Sequence, residues 1–200
     1  MKKIVSLFQR NYDGDRLVRN EVVPGAEWVI AGEGVATRKW DGTCCLVRDG
    51  KLFKRYEVKP GGKAPQNFEP ANDVDEVTGK QQGWLPVGDG PEDRWHREAW
   101  DSAHDVSYLE VQGHIGNDGL DSGTYELIGP KVQGGIEPAM AHMLVRHGVH
   151  LLPDAPRDFD GIKAYLTEHA IEGIVWHHPN GRMVKIKGKD FGLKRKQTGN

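Results

Sequence analysis

An α+β fold dominated by antiparallel sheet is the expectation, and three features of the sequence predict it. Asp49-Gly50, a favoured dipeptide for a two-residue hairpin turn, sits between two short runs rich in strand formers. Further runs of strand character, bounded by glycine or turn residues, follow at 123–129, 171–178 and 182–187. Segments with helical periodicity are few by comparison.

In chain order, Thr43–Arg48 and Lys51–Tyr56 are predicted to pair around Asp49-Gly50. Residues 59–105 hold much of the glycine, proline and acid, with Trp84, Trp95 and Trp100, and read as a long ordered insertion containing a short helix near 92–101. "GTYELIG" (123–129) has glycine at each end and reads as a strand. "EPAMAHMLVRHG" (137–148) reads as a helix from the spacing of Met140, Met143, Leu144 and His147, with Gly148 as its stop. "FDGIKAYLTEH" (159–169) places Ile162, Tyr165 and Leu166 on one helical face. "IEGIVWHH" and "RMVKIK" then form a hairpin through Pro179-Asn180-Gly181. Strand residues alternate between faces, so Lys185 and Lys187 share one side, and Glu172, Ile174 and Trp176 share another set. A loop of two or four residues would bring Glu172 onto the face of the two lysines; a three-residue or bulged loop would separate them.

Composition narrows the class. Two hundred residues suit one ordinary domain or two very small ones and are enough to bury a sizeable core, while the apolar fraction of 37% is on the low side. No apolar run approaches the roughly 18 residues of a membrane span. The start "MKKIVSLFQRNYDGD" lacks the apolar stretch of a signal peptide, so a cytoplasmic location is expected. Two adjacent cysteines, Cys44 and Cys45, cannot build a disulfide framework, and on a strand they point to opposite faces. Net charge is −2, yet Arg182, Lys185, Lys187, Lys189, Lys194, Arg195 and Lys196 stand against the single acid Asp190. That basic end (182–196) is either a phosphate-facing surface or a solvated tail.

"ATRKWDGTCC" (36–45) puts Lys39 two residues before Asp41 and turns the chain at Gly42. It reads either as a salt-bridged turn or as a lysine held for chemistry. The last hairpin offers the same choice. A carboxylate and two ammonium groups on one face suit a triphosphate with its metal, or form a cross-strand ion pair worth about 0.2–1 kcal/mol.

"KWDGT" (39–43), "KRYE" (54–57), "YELIG" (125–129), "EGIV" (172–175) and "KIK" (185–187), in that order, resemble the motifs of the covalent nucleotidyltransferases, the superfamily of polynucleotide ligases and mRNA capping enzymes. "WDGTCC" and "TYELIGPK" look most like a group of RNA ligases, and the resemblance spans about residues 30–190. It implies a nucleotidyltransferase domain of the ATP-grasp-like ligase type. It also implies an ATP-dependent RNA ligase that joins a 5′-phosphate end to a 3′-hydroxyl end through a lysyl-AMP intermediate on Lys39. Lys185 and Lys187 would bracket the α-phosphate, and Arg55 would contact the ribose or α-phosphate. Lys54 competes with Arg55 for that role, because Thr43, Cys44 and Cys45 stand where many relatives carry an arginine. Glu126 would bind the ribose or a metal-bound water, Glu172 would ligate Mg²⁺ or Mn²⁺, and Val175 would pack on the adenine. Asp41 would orient the loop and Gly42 let the backbone approach the nucleotide. Thirteen residues follow Lys187, too few for the OB-fold that DNA ligases and capping enzymes append, so a single nucleotidyltransferase domain is expected; the chain is separately expected to be a monomer. The rival readings are DNA ligation, GTP-dependent capping, adenylyl transfer to another acceptor, and a non-catalytic module that binds RNA ends.

The remaining reactive residues suggest less. Nine histidines, including His142, His147, His150, His177 and His178, lack companions at a zinc-ligand spacing, and His147 reads as core. The three tryptophans of 59–105 either stack on bases or pin the segment to the body. Tyr56 fits either the core or a nucleotide contact.

Overall fold

The structure, a computed structural model, describes residues 4–103 and 120–195. Its strands and helices in chain order are β1 (Val5–Ser6), β2 (Phe8–Arg10), β3 (Val18–Val22), α1 (Glu27–Ile30), β4 (Val35–Lys39), β5 (Thr43–Arg48), β6 (Lys51–Val58), β7 (Glu69–Pro70) and β8 (Gln81–Pro86). There follow α2 (Arg94–Ser102), β9 (Gly123–Ile128), β10 (Met143–Arg146), α3 (Phe159–His169), β11 (Gly173–His177) and β12 (Met183–Lys187). The class is α+β, with largely antiparallel sheets and few helices. The chain divides into two compact units, one over 41–146 and one over 3–40 with 147–200. Lys196, the last of the seven basic residues, lies outside the described residues.

The first unit is built on a six-stranded sheet in the order β10-β9-β5-β6-β8-β7. The β5–β6 turn is what Asp49-Gly50 demands: both residues have positive φ, 52° and 66°, as the twist-compatible two-residue hairpin requires. Cys45, Val47, Tyr125, Leu127 and Leu144 cover one face of this sheet and pack with Ala99 of α2 and with Ala103, the residue that follows it. Segment 59–105 contributes more than an insertion with one helix, because β8 pairs with β6 from Phe53↔Pro86 to Val58↔Gln81.

The expected helix over 137–148 is absent. Its second half is β10, paired with β9 from Met143↔Ile128 to Arg146↔Tyr125. Met140, assigned to the apolar face of that helix, is fully exposed. The run Met143-Leu144-Val145 suits a strand as well as a helix, and the open edge of β9 decides between them. The expected helix at 159–169 does form. The Asp158 carboxylate caps it by accepting from the Gly161 amide at 2.8 Å, which stabilises α3 by about 1 kcal/mol. Ile162 and Leu166 are buried as the spacing predicts.

The second unit holds a four-stranded sheet, β1-β12-β11-β4, and the β2–β3 ribbon. Ile174, Trp176, Val184 and Ile186 are buried on one face with Leu7, Phe8 and Ile162. Burying a side chain of the size of Trp176 contributes about 1.5–3 kcal/mol or more. The opposite face is polar, and it is the one that concerns function.

Candidate active site

The register of the second unit fixes which side chains share the polar face. Gly173 pairs with Lys187 on one side and Lys39 on the other, and Val175 pairs with Lys185 and Thr37. Directly opposed residues of antiparallel strands point the same way, so Lys39, Lys185, Lys187, Thr37 and Val175 stand together. Gly173 lies between two of the lysines and has no room for a side chain, since a Cβ there would come within 2.1 Å of the Ile186 carbonyl oxygen.

Glu172 is out of step with this face. His177 pairs with Met183, and the His178 amide donates to the Arg182 carbonyl, so the loop is odd-numbered and Glu172 falls opposite Gly188. Alternation alone would send its side chain with Ile174 to the core. Glu172 precedes the first residue of β11, however, and its carboxylate reaches the lysines all the same. Lys39 Nζ donates to Glu172 Oε2 at 2.7 Å and Lys187 Nζ donates to Oε1. Lys39 Nζ also donates to the Trp40 carbonyl at 3.3 Å. Burial alone would raise the Glu172 carboxyl, but the Lys39 and Lys187 ammonium groups outweigh it and hold the pKa below the ordinary value. Lys185 has no ion pair among the described residues. Burial first, and then the neighbouring Lys187 and Lys39 charges, lower its pKa to about 8. Glu172 and then Asp190, which is paired with Arg10 and accepts the Lys187 amide at 3.0 Å, oppose that fall without cancelling it. Two ammonium groups therefore share the Glu172 carboxylate and a third, Lys185, stands on the same face, an arrangement that suits an anion.

The first unit positions the other residues of the motifs. Gly42 N donates to Glu126 Oε1 at 3.1 Å, and Asp41 N donates to Glu137 Oε1 at 2.9 Å. A Cβ on Gly42 would lie 2.1 Å from the Leu127 carbonyl oxygen, so this turn accepts only glycine. Cross-strand pairing separates Lys54 from Arg55. Lys54 pairs with Cys45 on the core face, and its ammonium binds the buried carboxylate of Asp93 at 2.5 Å. Arg55 is on the opposite face, which it shares with Trp84 directly across from it and, through the β5 and β9 registers, with Cys44 and Glu126. Its Nε donates to Gln82 Oε1 at 2.9 Å. Of the two neighbours, Arg55 is the one on the face of Glu126.

A sequence model of the RNA ligase 1 family matches residues 69–199. The chain belongs to the RNA ligase 1 family. Among similar proteins, RNA ligase 1 of Danio rerio is 27% identical over 220 residues, covering 80% of this chain and 67% of the relative. RNA ligase 1 of Mus musculus is 26% identical over 220 residues with the same coverage, and that of Pongo abelii 25% over 224.

In this RNA ligase 1 family member, structural roles account for several other residues. Trp95 is stacked on His142 with ring centroids 4.4 Å apart, and the Arg94 guanidinium lies 4.5 Å from its ring, so partners within the protein engage its π surface. Trp84 is buried. His142, not His147, is the buried histidine of its pair; its Nδ1 lies 2.8 Å from Glu98 Oε1, and His147 is half-buried. Tyr56 is exposed, with its ring edge-on to Phe68. Among the described residues no helix is long and apolar enough to cross a membrane. Two polar residues escaped the sequence reading. Thr37, fully buried on the lysine face, donates to the Val175 carbonyl at 3.2 Å and lies 2.9 Å from His177 Nε2; its position two residues before Lys39 on a strand was the available signal. Glu137 gave no such signal, since it sat in the expected helix.

Proposed function

We propose that the chain is an ATP-dependent RNA ligase that joins a 5′-phosphate end to a 3′-hydroxyl end and works through Lys39. The observation that carries this reading is the gathering of Lys39, Lys185 and Lys187 on one sheet face, with the carboxylate of Glu172 bonded to two of them. The relatives' name supports the RNA substrate.

In this reading the Lys39 Nζ lone pair attacks the α-phosphorus of ATP, a P–N bond forms, and the bond to the β-phosphate oxygen breaks to release pyrophosphate. The ammonium proton leaves beforehand. A lysine with an ordinary pKa near 10.4 is almost wholly protonated at neutral pH, so attack requires that the ion pair with Glu172 be given up and the proton lost, a change that the neighbouring Lys185 and Lys187 cations assist. The same two ammonium groups stabilise charge developing on the phosphoryl oxygens. AMP then passes to the RNA 5′-phosphate, and the 3′-hydroxyl displaces it as the strand is sealed. Arg55 contacts the ribose or α-phosphate, Val175 offers an apolar surface to the adenine, and Asp41 and Gly42 shape the turn behind the nucleophile.

Carboxylate oxygens are the donor type that Mg²⁺ or Mn²⁺ prefers, and Glu172, whose two oxygens already serve as the shared counter-charge for two cations, fits a metal ligand; Glu126 is the second choice. When bound, the metal supplies neutralisation of the polyphosphate.

Intact-protein mass spectrometry after incubation with Mg²⁺ and ATP, in parallel with GTP and NAD⁺, tests the proposal. The expected result is a gain of one AMP from ATP only, on Lys39. A GMP adduct moves the assignment to capping. A folded protein, free of prior adenylylation, that gains nothing is a binding module.

A further inference from the structure

The strand that carries Lys185 and Lys187 ends on a hydrogen bond that the sheet does not supply. The Gly188 amide donates to the Glu172 carbonyl at 2.9 Å, so the neighbouring pair Gly173↔Lys187 is a non-hydrogen-bonded one. The Lys187 amide therefore points away from β11, towards the β1 edge of β12. There β1 runs parallel to β12, and the Leu7 amide donates to the Lys185 carbonyl at 2.8 Å. One more step of that ladder would bring the Leu7 carbonyl to the Lys187 amide. Strand pairing stops at Ser6, however, and the Leu7 carbonyl accepts the Val23 amide at 2.9 Å. The Lys187 amide donates to Asp190 Oδ2 at 3.0 Å. Asp190 is 4% exposed, and its other oxygen binds the guanidinium of Arg10 on β2. The turn that presents it, Gly188–Phe191, is anchored by Phe191, whose ring lies edge-on to that of Phe159 of α3 with centroids 5.0 Å apart.

We propose that Asp190, held by Arg10, is a positioning residue for Lys187. Its carboxylate stands in for the missing strand and fixes the backbone from which the Lys187 side chain leaves to meet Glu172 on the lysine face. All of these residues belong to the second compact unit. The role rests on the reading of Lys39 as nucleophile and of Lys187 as one of the two lysines that bracket the α-phosphate. A neutral side chain would satisfy a single amide. A buried carboxylate with its own guanidinium is costly to desolvate and adds little net stability, but its bond to the amide is charge-assisted and stronger. It stands where β12 has lost its neighbour, and the residue it holds is one that the chemistry needs. Small displacements of a group at the reacting centre lower the rate of the chemical step steeply, by up to about 100-fold for 1 Å.

Two readouts on the full chain test this. The first is residue-resolved amide hydrogen exchange, which needs no activity. Asp190→Ala is expected to accelerate exchange at Lys187 at least about tenfold. The second is the single-turnover rate of Lys39 adenylylation as a function of ATP. Asp190→Ala should lower the rate at saturating ATP by about 10- to 100-fold, with a smaller change in the ATP concentration that gives half the maximal rate. Asp190→Asn removes the charge but keeps an oxygen for the Lys187 amide, and should fall between Asp190→Ala and wild type in both readouts. Arg10→Gln, at a partly exposed side chain, should shift both in the same direction by less, and it decides the matter if Asp190→Ala does not fold. Unchanged exchange at Lys187 overturns the proposal, and so does faster exchange with an unchanged saturating rate. An Asp190→Asn that protects the Lys187 amide yet labels as slowly as Asp190→Ala also overturns it, because Asp190 then acts through its charge on Lys185. If the wild-type protein forms no AMP adduct, that failure belongs to the nucleophile assignment, and the exchange data still decide whether Asp190 holds Lys187.

Discussion

Lys54 in the first unit and Lys39 and Lys187 in the second are equally exposed, each at 19% of its side chain, and each is bonded to a buried carboxylate. The difference is in the stoichiometry. Asp93 serves Lys54 as its one lysine partner and spends its other oxygen on the Gly88 amide, which closes the charge account locally. Glu172 is divided between two lysines, with a third, Lys185, close enough to feel both. A balanced buried pair explains itself as structure. A carboxylate shared by two lysines with a third nearby brings like charges close together, a repulsion that an anionic ligand would relieve. Burial alone would have ranked these sites alike.

The largest effect that sharpens this contrast is Lys39→Ala, which should abolish covalent AMP in the mass spectrum while the protein stays folded by circular dichroism. Next is the pair of carboxylate deletions. Glu172→Ala strands two ammonium groups and should cost about 3–5 kcal/mol in urea unfolding together with metal-dependent labelling. Asp93→Ala should cost about 3 kcal/mol but leave labelling per folded molecule intact. Lost labelling in the Asp93 variant would break the contrast.

Lys185 tests it through pH. Its folded pKa, about 8, lies below the ordinary 10.5, so the unfolded chain binds the proton more tightly in between. Its contribution therefore destabilises fully below pH 8 and is relieved as pH rises from about 8 towards 10.5. Lys185→Met should be more stable than wild type at pH 7, and the difference should shrink by pH 10; an equal difference at both pH values counts against a strained ammonium. The smallest effect is at His96 in the balanced region. Burial is the main reason its pKa is lowered, with Lys54 adding to the fall and Asp93 opposing it. A depressed folded pKa means stability that is present above about pH 6.5 and lost as pH falls below it. Stability measured between pH 7 and pH 5 should drop less in His96→Leu than in wild type.

What the sequence determined by itself was local. Asp49-Gly50 specified its hairpin through the backbone angles a two-residue turn permits, Asp158 and the Ile162–Leu166 spacing specified α3, and strict alternation specified that Lys185 and Lys187 share a face. Their order with "KWDGT" and "YELIG" was sufficient to suggest an RNA ligase. Tertiary structure decided whatever depended on a partner remote in the chain. Residues 143–146 became a strand because β9 offered an open edge, a choice invisible in a run that suits helix and strand equally. Lys54 and Arg55 differ by one position, and only the registers of β5, β6, β8 and β9 show which lies on the face of Glu126. Glu172 reaches the lysines although the odd-numbered loop puts it out of phase, because at a strand's end the side chain is freed from alternation and follows the charge. Glu137 holds the Asp41 amide across 96 positions of sequence, a distance over which no periodicity carries information. Side-chain periodicity and turn chemistry act within a few residues, whereas the choice of a hydrogen-bonding partner is made by the folded chain as a whole.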